Sequence, residues 1–112
     1  MRESHTIAAI ATPPVPSAIG ILRLSGPKAV DCVEAVFRAM DGRPLSQHPQ
    51  RKLIYGQLTD RDGTVIDQVL ATYTKGPNSY TGEDTAELQC HGAPMVLSLG
   101  LEALYAQGAR QA

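Results

Sequence analysis

The feature that most constrains this chain is the alternation between Asp84 and Cys90. Ala86, Leu88 and Cys90 fall on one side, and Thr85, Glu87 and Gln89 on the other. Successive side chains of an extended strand point to opposite faces, so this period of two predicts a strand with one face on a core and one face polar. Such a strand needs neighbours. Ala18–Leu24 is almost wholly apolar and reads as a central one. Within it, alternation puts Arg23 on the same face as Ile19 and Ile21. A charge in that position is costly unless it is paired or reaches water. Two readings stand for Arg23: a strand-end arginine with a buried stem and a solvated head, or a cation awaiting an anionic ligand.

The remaining segments fill in around this pair. Thr6–Ala11 is a short apolar strand, and Thr12–Ser17 carries three prolines, each fixing φ and removing a donor, so it reads as a stiff connection. Ser25-Gly26-Pro27 is a helix entry. Ala29, Val33, Val36 and Met40 then fall at helical spacing, with Gly42 as the stop. A polar loop, Arg43–Gln50, follows. Leu53–Leu58 and Thr64–Tyr73 read as strands joined by a hairpin turn at Asp60-Arg61-Asp62-Gly63. After the last strand Gly92 breaks the pattern. Pro94 opens a helix with Val96, Leu97, Leu101 and Leu104 on its apolar face, capped at Gly108. The order β-β-α-β-β-β-α predicts an α+β domain with a mixed or mostly antiparallel sheet. Two helices cover such a sheet incompletely, and its open edges invite a partner.

The 112 residues are the length of one domain, enough to bury roughly 60–70% of the unfolded surface without staples. A net charge of −1, with ten scattered basic residues, argues against a non-specific grip on nucleic acid, which needs clustered Lys and Arg. Cys32 and Cys90 read as small buried hydrophobes in a reducing cytoplasm rather than a disulfide framework. No apolar run approaches the roughly 20 residues of a membrane span, so a cytoplasmic protein without membrane contact is expected. The phosphate-cradling G-x-x-x-x-G-K-[ST], G-x-G-x-x-G, H-E-x-x-H, C-x-x-C and G-x-S-x-G are all missing, and His5, His48 and His91 show no metal-ligand spacing. Neither a catalytic nor a metal site is predicted.

Three segments ask for more than structure. Thr74–Glu83, rich in Gly, Pro, Asn and Ser, is longer than a turn requires; it is either a plain surface loop or a carrier of binding groups. Glu87 sits mid-strand on the polar face. It is either solvated or, if that face is a cleft, a bidentate acceptor for a planar guanidine-like edge. Cys90-His91-Gly92 marks the junction of strand and helix. A Cys90–His91 nucleophilic dyad is poorly built there, because adjacent strand residues point to opposite faces.

These segments together resemble the MnmE (TrmE) family of tRNA modification GTPases. The likeness is carried by Thr6–Pro14, by Ile19–Gly26, and above all by Gly76-Pro77-Asn78-Ser79-Tyr80-Thr81-Gly82-Glu83-Asp84 with Glu87 and Cys90-His91-Gly92. It runs from about Thr6 to Gly108. The resemblance implies that residues 1–112 are an N-terminal domain that binds tetrahydrofolate and forms a homodimer. Its fold would be half of the folate-binding fold of the glycine-cleavage aminomethyltransferase. A helical domain and a GTPase domain, the latter using GTP, Mg²⁺ and K⁺, would lie outside this chain. With the flavoprotein MnmG the whole protein would modify C5 of the wobble uridine in tRNA. It would install an aminomethyl-type group whose one-carbon unit comes from 5-formyl- or 5,10-methylene-tetrahydrofolate. The domain by itself would turn nothing over.

Carried over by position, the family's folate-contacting arginine and glutamate are Arg23 and Glu87. Tyr80, Thr81, Gly82 and His91 match the motif and are placed around the pocket or at the dimer contact. Val15-Pro16-Ser17-Ala18 departs from the family's glycine-rich stretch, and Ala93 replaces a usual second glycine. A family lysine that reaches the folate lies past Ala112, so the pocket is expected to be incomplete in this chain. The competing reading is a stand-alone RNA- or protein-interaction module without folate. A single Phe and near-neutral charge speak against its RNA form.

Overall fold

The alternating strands assemble into a single sheet whose apolar side is roofed by two helices. The computed structural model describes residues 5–11, 18–76 and 82–112. The strands are β1 (Ile7–Ile10), β2 (Ile19–Ser25), β3 (Phe37–Ala39), β4 (Ile54–Thr59), β5 (Val65–Thr74), β6 (Thr85–His91) and β7 (Arg110–Gln111). The helices are α1 (Ala29–Val36) and α2 (Pro94–Ala106). Across the sheet the order is β3-β4-β5-β6-β2-β1-β7, antiparallel throughout except for the β1–β7 pair. The α+β class and the mostly antiparallel sheet agree with the sequence reading. The stiff connection read at Thr12–Ser17 lies outside the described residues.

The core is built from one side of each strand. Leu22 and Leu24 of β2, Ala86, Leu88 and Cys90 of β6, Val69 and Ala71 of β5 and Leu58 of β4 join the buried residues of both helices in one cluster. Helix α2 meets β2 by a reciprocal fit. A side chain on Gly20 would overlap the methyls of Leu97, and one on Gly100 would overlap Leu22. A strand glycine thus sits under a helix leucine and a helix glycine over a strand leucine. That brings the layers closer than Ala at both places would allow.

Local caps fix the helix ends. Gly26, at φ +135°, turns the chain into α1 so close to Thr6 that no Cβ fits. Thr6 Oγ1 then accepts the Lys28 backbone N–H at 2.8 Å, satisfying one of the helix's orphan donors from another strand's end. Pro94 occupies the first turn of α2, where its missing N–H is harmless. Gly108, at φ +105°, lets the Ala109 N–H return to the Leu104 carbonyl. The β4–β5 hairpin turns where expected. Asp60 Oδ1 accepts the N–H groups of Asp62 and Thr64, both at 2.9 Å, and Gly63 takes φ +84°.

Two features correct the sequence reading. Helix α1 stops at Val36 rather than reaching Gly42, and Met40 is 69% exposed instead of continuing the apolar stripe. Residues 37–39 pair instead with β4, Phe37 opposite Leu58 and Ala39 opposite Gly56. That pairing buries Phe37 against Gly56, which has no Cβ to obstruct the ring. A long-range ladder therefore outweighs the local helical period. The second feature is β7, whose two residues pair with Ile7 and Ala8 and extend the sheet beyond β1.

The loop at 43–50 is not a free connection either. Leu45 is fully buried, the Tyr73 hydroxyl donates to the His48 carbonyl at 2.6 Å, and Glu34 Oε1 accepts from the Ser46 N–H and hydroxyl. The His48 ring bonds Asp41 Oδ2 at 2.8 Å. The Arg43 backbone N–H first, and then His48, holds the Asp41 carboxyl below the usual carboxylate range. Among the described residues no helix is long and apolar enough to cross a membrane.

Candidate functional site on the helix-free face

Because the helices take one face, the other carries the polar half of each strand's alternation. Arg23 from β2 and Glu87 from β6 stand directly opposite one another there. Arg23 Nε donates to Glu87 Oε2 at 2.7 Å, a charge-assisted bond of ordinary short length. Their row across the sheet is completed by small neighbours, Ala9 beyond Arg23 and Thr72 beyond Glu87. The Arg23 side chain is 53% exposed and that of Glu87 23%. An ion pair so open to water contributes about 0–1 kcal/mol to stability. The fold does not need the pair, so its position in the middle of the helix-free face asks for another explanation.

Two hollows open on this face, one on each side of Gln89. The first, of about 350 Å³, lies against Glu87 and is bounded by Leu53, Thr72, Thr74 and Thr85. The second, of about 340 Å³, is walled by Ile19, Leu70 and Tyr55 and edged by Gln68, Gln89 and His91. The Tyr55 hydroxyl donates to Gln68 Oε1 at 3.1 Å.

His91 closes the end of β6. Its backbone N–H and its Nδ1 both bond the Asp67 carboxylate, at 2.8 and 2.7 Å. Asp67 is nearly enclosed, with its side chain 11% exposed, whereas the His91 ring is 71% exposed. A carboxylate only accepts, so Nδ1 is the donor, and Nε2 is the ring nitrogen that faces away from Asp67. Cys90, next along the strand, points the other way into the core opposite Gly20. Burial, with the Asp67 charge adding to it, pushes its thiol up to about 12. The dyad is excluded on both geometry and acidity, and both cysteines are the buried free thiols expected.

Of the residues singled out in the sequence, the structure brings Arg23 and Glu87 into contact and puts His91 on the same face four residues along β6. Gly82 lies apart, at the end of the 74–83 loop with φ +81°. The loop's neck is tight: Gly76 packs against the Gly82 carbonyl with no space for a Cβ, and its N–H bonds Asp84 Oδ1 at 2.9 Å. Tyr80 and Thr81 lie outside the described residues. Sequence reasoning missed Asp67, Leu70 and Tyr55. Alternation in β4 and β5 was a signal for Tyr55 and Leu70, but only the strand register puts Leu70 beside β6 and Tyr55 one strand further out.

A mostly antiparallel sheet roofed by helices on one side, with an acid–base pair and two hollows on its helix-free side, defines the class as an α+β fold with a polar open face. The chain belongs to the family described as GTP-binding protein TrmE N-terminus, whose sequence model matches residues 6–112. It is 47% identical over 112 residues to the tRNA modification GTPase MnmE of Clostridioides difficile (strain 630). It is 44% identical over 113 residues to that of Alkaliphilus oremlandii (strain OhILAs), and 45% over 112 residues to that of Roseiflexus sp. (strain RS-1). Each match takes in 100% of this chain and 24% of the relative, so the chain spans about a quarter of the length of the curated relatives it matches.

Proposed function

We propose that this chain is the tetrahydrofolate-binding and dimer-forming domain of a cytoplasmic tRNA modification GTPase. The observation that carries the reading is the Arg23–Glu87 pair on the bare face, beside a hollow of pocket size. Glu87 already accepts a planar, charge-bearing N–H donor there. The pterin edge of a folate is a donor array of the same shape, so the carboxylate fits it without a change of backbone. Arg23, opposite, supplies the cation that keeps the carboxylate oriented and meets polar or anionic groups of the ligand. Leu53 and the threonines of β5 and β6 line the hollow. A folate bound here, as the 5-formyl or 5,10-methylene form, supplies a one-carbon unit.

The exposed Ile7, Ile19, Leu53 and Tyr55 share this face with the pair, and a second copy of the domain would cover them. The hydrolysis of GTP belongs to the parent protein. So do the partnership with the flavoprotein MnmG and the aminomethyl-type modification at C5 of the wobble uridine of tRNA. Those chemistries need residues outside these 112.

Titration calorimetry with 5-formyl-tetrahydrofolate tests the reading. Losing a hydrogen-bonded charge at Glu87 removes about 1.5–3 kcal/mol, or roughly a 10- to 150-fold drop in affinity for Glu87→Ala. An unchanged affinity would reject Glu87 as the anchor.

A further inference from the structure

The edge of the sheet at β3 carries charges that the fold does not use. A hollow of about 480 Å³ opens there, between α1 and the turn after β3, bordered by Glu34, Arg38, Ala39, Gly42, Arg43 and Pro44. It is larger than either hollow on the helix-free face, and it falls within the roughly 300–1,000 Å³ of a small-molecule pocket. The carboxylates nearby are already engaged. Glu34 Oε1 accepts the N–H and the hydroxyl of Ser46, at 2.8 and 2.6 Å. Asp41 accepts the Arg43 backbone N–H on one oxygen and bonds the His48 ring with the other. Arg38 and Arg43 are exposed, and among the described residues neither has an ion-pair partner.

The backbone is open to a ligand here as well. Met40 donates its N–H to the Tyr55 carbonyl at 3.0 Å, so the parity of the ladder turns the Ala39 N–H the other way, to the open edge. Gly42, at φ +77°, has nothing within 4 Å of where a Cβ would stand, so a ligand can come close to the chain. Outward N–H groups at a sheet edge suit an anion, and a planar guanidinium matches two oxygens of a phosphate at once. We propose that the hollow at the β3 edge is a phosphate-binding site, with Arg38 and Arg43 as its cations and the Ala39 N–H as a backbone donor. A small phosphorylated molecule and an RNA backbone present the same oxygens to it. A net charge of −1 is no obstacle, because one phosphate needs two cations and not a basic track. The site does not depend on the folate reading, and no covalent step is involved.

The test uses the 112-residue chain at low salt, followed by NMR. The probes are inorganic pyrophosphate, uridine 5′-monophosphate and a short oligouridylate without terminal phosphates. Shifts are expected in the amides of residues 34–44 and in the Nε–H signals of Arg38 and Arg43. Arg38→Ala and Arg43→Ala are each expected to weaken binding about tenfold, the loss of a hydrogen-bonded charge. Both side chains are exposed, so their removal leaves the fold intact. Arg38→Lys keeps the charge without the planar fork and loses part of the affinity. Arg61→Ala, in the exposed β4–β5 turn, changes nothing. Tighter binding of the monophosphate or pyrophosphate assigns the site to a small phosphorylated molecule, and tighter binding of the oligouridylate assigns it to RNA. No response to any of the three probes refutes the site. So does an affinity that Arg38→Ala and Arg43→Ala leave unchanged.

Discussion

Gly100 lies within α2, where Gly costs about 1 kcal/mol of helix propensity relative to Ala. An exposed Gly→Ala change in a helix therefore stabilises. Here a Cβ would stand 2.6 Å from Leu22 Cδ1 and 3.2 Å from Leu58 Cδ2, and both leucines are fully buried. Both methyls belong to side chains enclosed in the core, so overpacking of about 1–3 kcal/mol opposes the propensity gain. Gly100→Ala is expected to destabilise by about 1 kcal/mol net, a fall in Tm of about 4–8 °C for a domain of this size. The cause is checked by a double-mutant cycle with Leu22→Val, which lacks the obstructing Cδ1. In that background the clash is relieved and Gly100→Ala becomes neutral or stabilising, a coupling of about 1–2 kcal/mol. Urea unfolding followed by circular dichroism measures all four species. A Gly100→Ala protein more stable than its parent, or a coupling near zero, would refute the reciprocal packing of α2 on β2. Gly20→Ala is the companion case. It meets the ends of the Leu97 side chain, which is 7% exposed and has some freedom to move, so its cost is expected to be the smaller of the two.

Two further outcomes follow from buried groups. Cys90, with its thiol raised to about 12, exposes only about one thiolate in 10⁴ at pH 8, so iodoacetamide leaves it unmodified in the native protein and labels it on unfolding. The same shift makes stability pH-dependent. The folded thiol ionises above the unfolded one, so its contribution is complete below about pH 9 and is lost as pH rises towards 12; denaturant midpoints should fall across that window, less steeply in Cys90→Ala. Gly56→Ala would push a Cβ into the Arg38 carbonyl and the Phe37 ring. The β3–β4 ladder is expected to open, with loss of amide protection at residues 37–39 in hydrogen exchange, while β2 and β6 keep theirs.

What was readable in the chain was what is local. The alternation in β6 assigned Glu87 to the polar side of its strand, and that in β2 put Arg23 on one face with Ile19 and Ile21. Gly63, Pro94 and Gly108 marked their turn and caps by backbone chemistry alone. What was not readable depends on partners far along the chain. Arg23 meets Glu87 across 64 residues of sequence, and no local pattern says which strand will lie beside which. The end of α1 is decided at Gly56, the anchoring of the 43–50 loop at Tyr73, and the orientation of His91 at Asp67. Strand β7 has two residues and no period at all.

The location of the candidate site is nevertheless not arbitrary, because it is tied to the core by the same alternation. Leu22 lies opposite Leu88 and Leu24 opposite Ala86, and these pairs must face the helices. A slip of one residue between β2 and β6 would turn every side chain of the slipped strand over. Turning β2 over would carry Arg23 under the helices, an unpaired charge in a dry core, and expose the fully buried Leu22 and Leu24; turning β6 over would carry Glu87 there and expose Leu88. Each leucine so exposed forfeits about 1.5–3 kcal/mol, and burying the charge adds several more. Against a total stability of about 5–15 kcal/mol, that slipped state is not populated. The Arg23–Glu87 pair contributes little to stability, yet it is held in place by residues that contribute most of it. A weak, water-exposed ion pair can therefore stay preorganised for a ligand without being part of what keeps the domain folded.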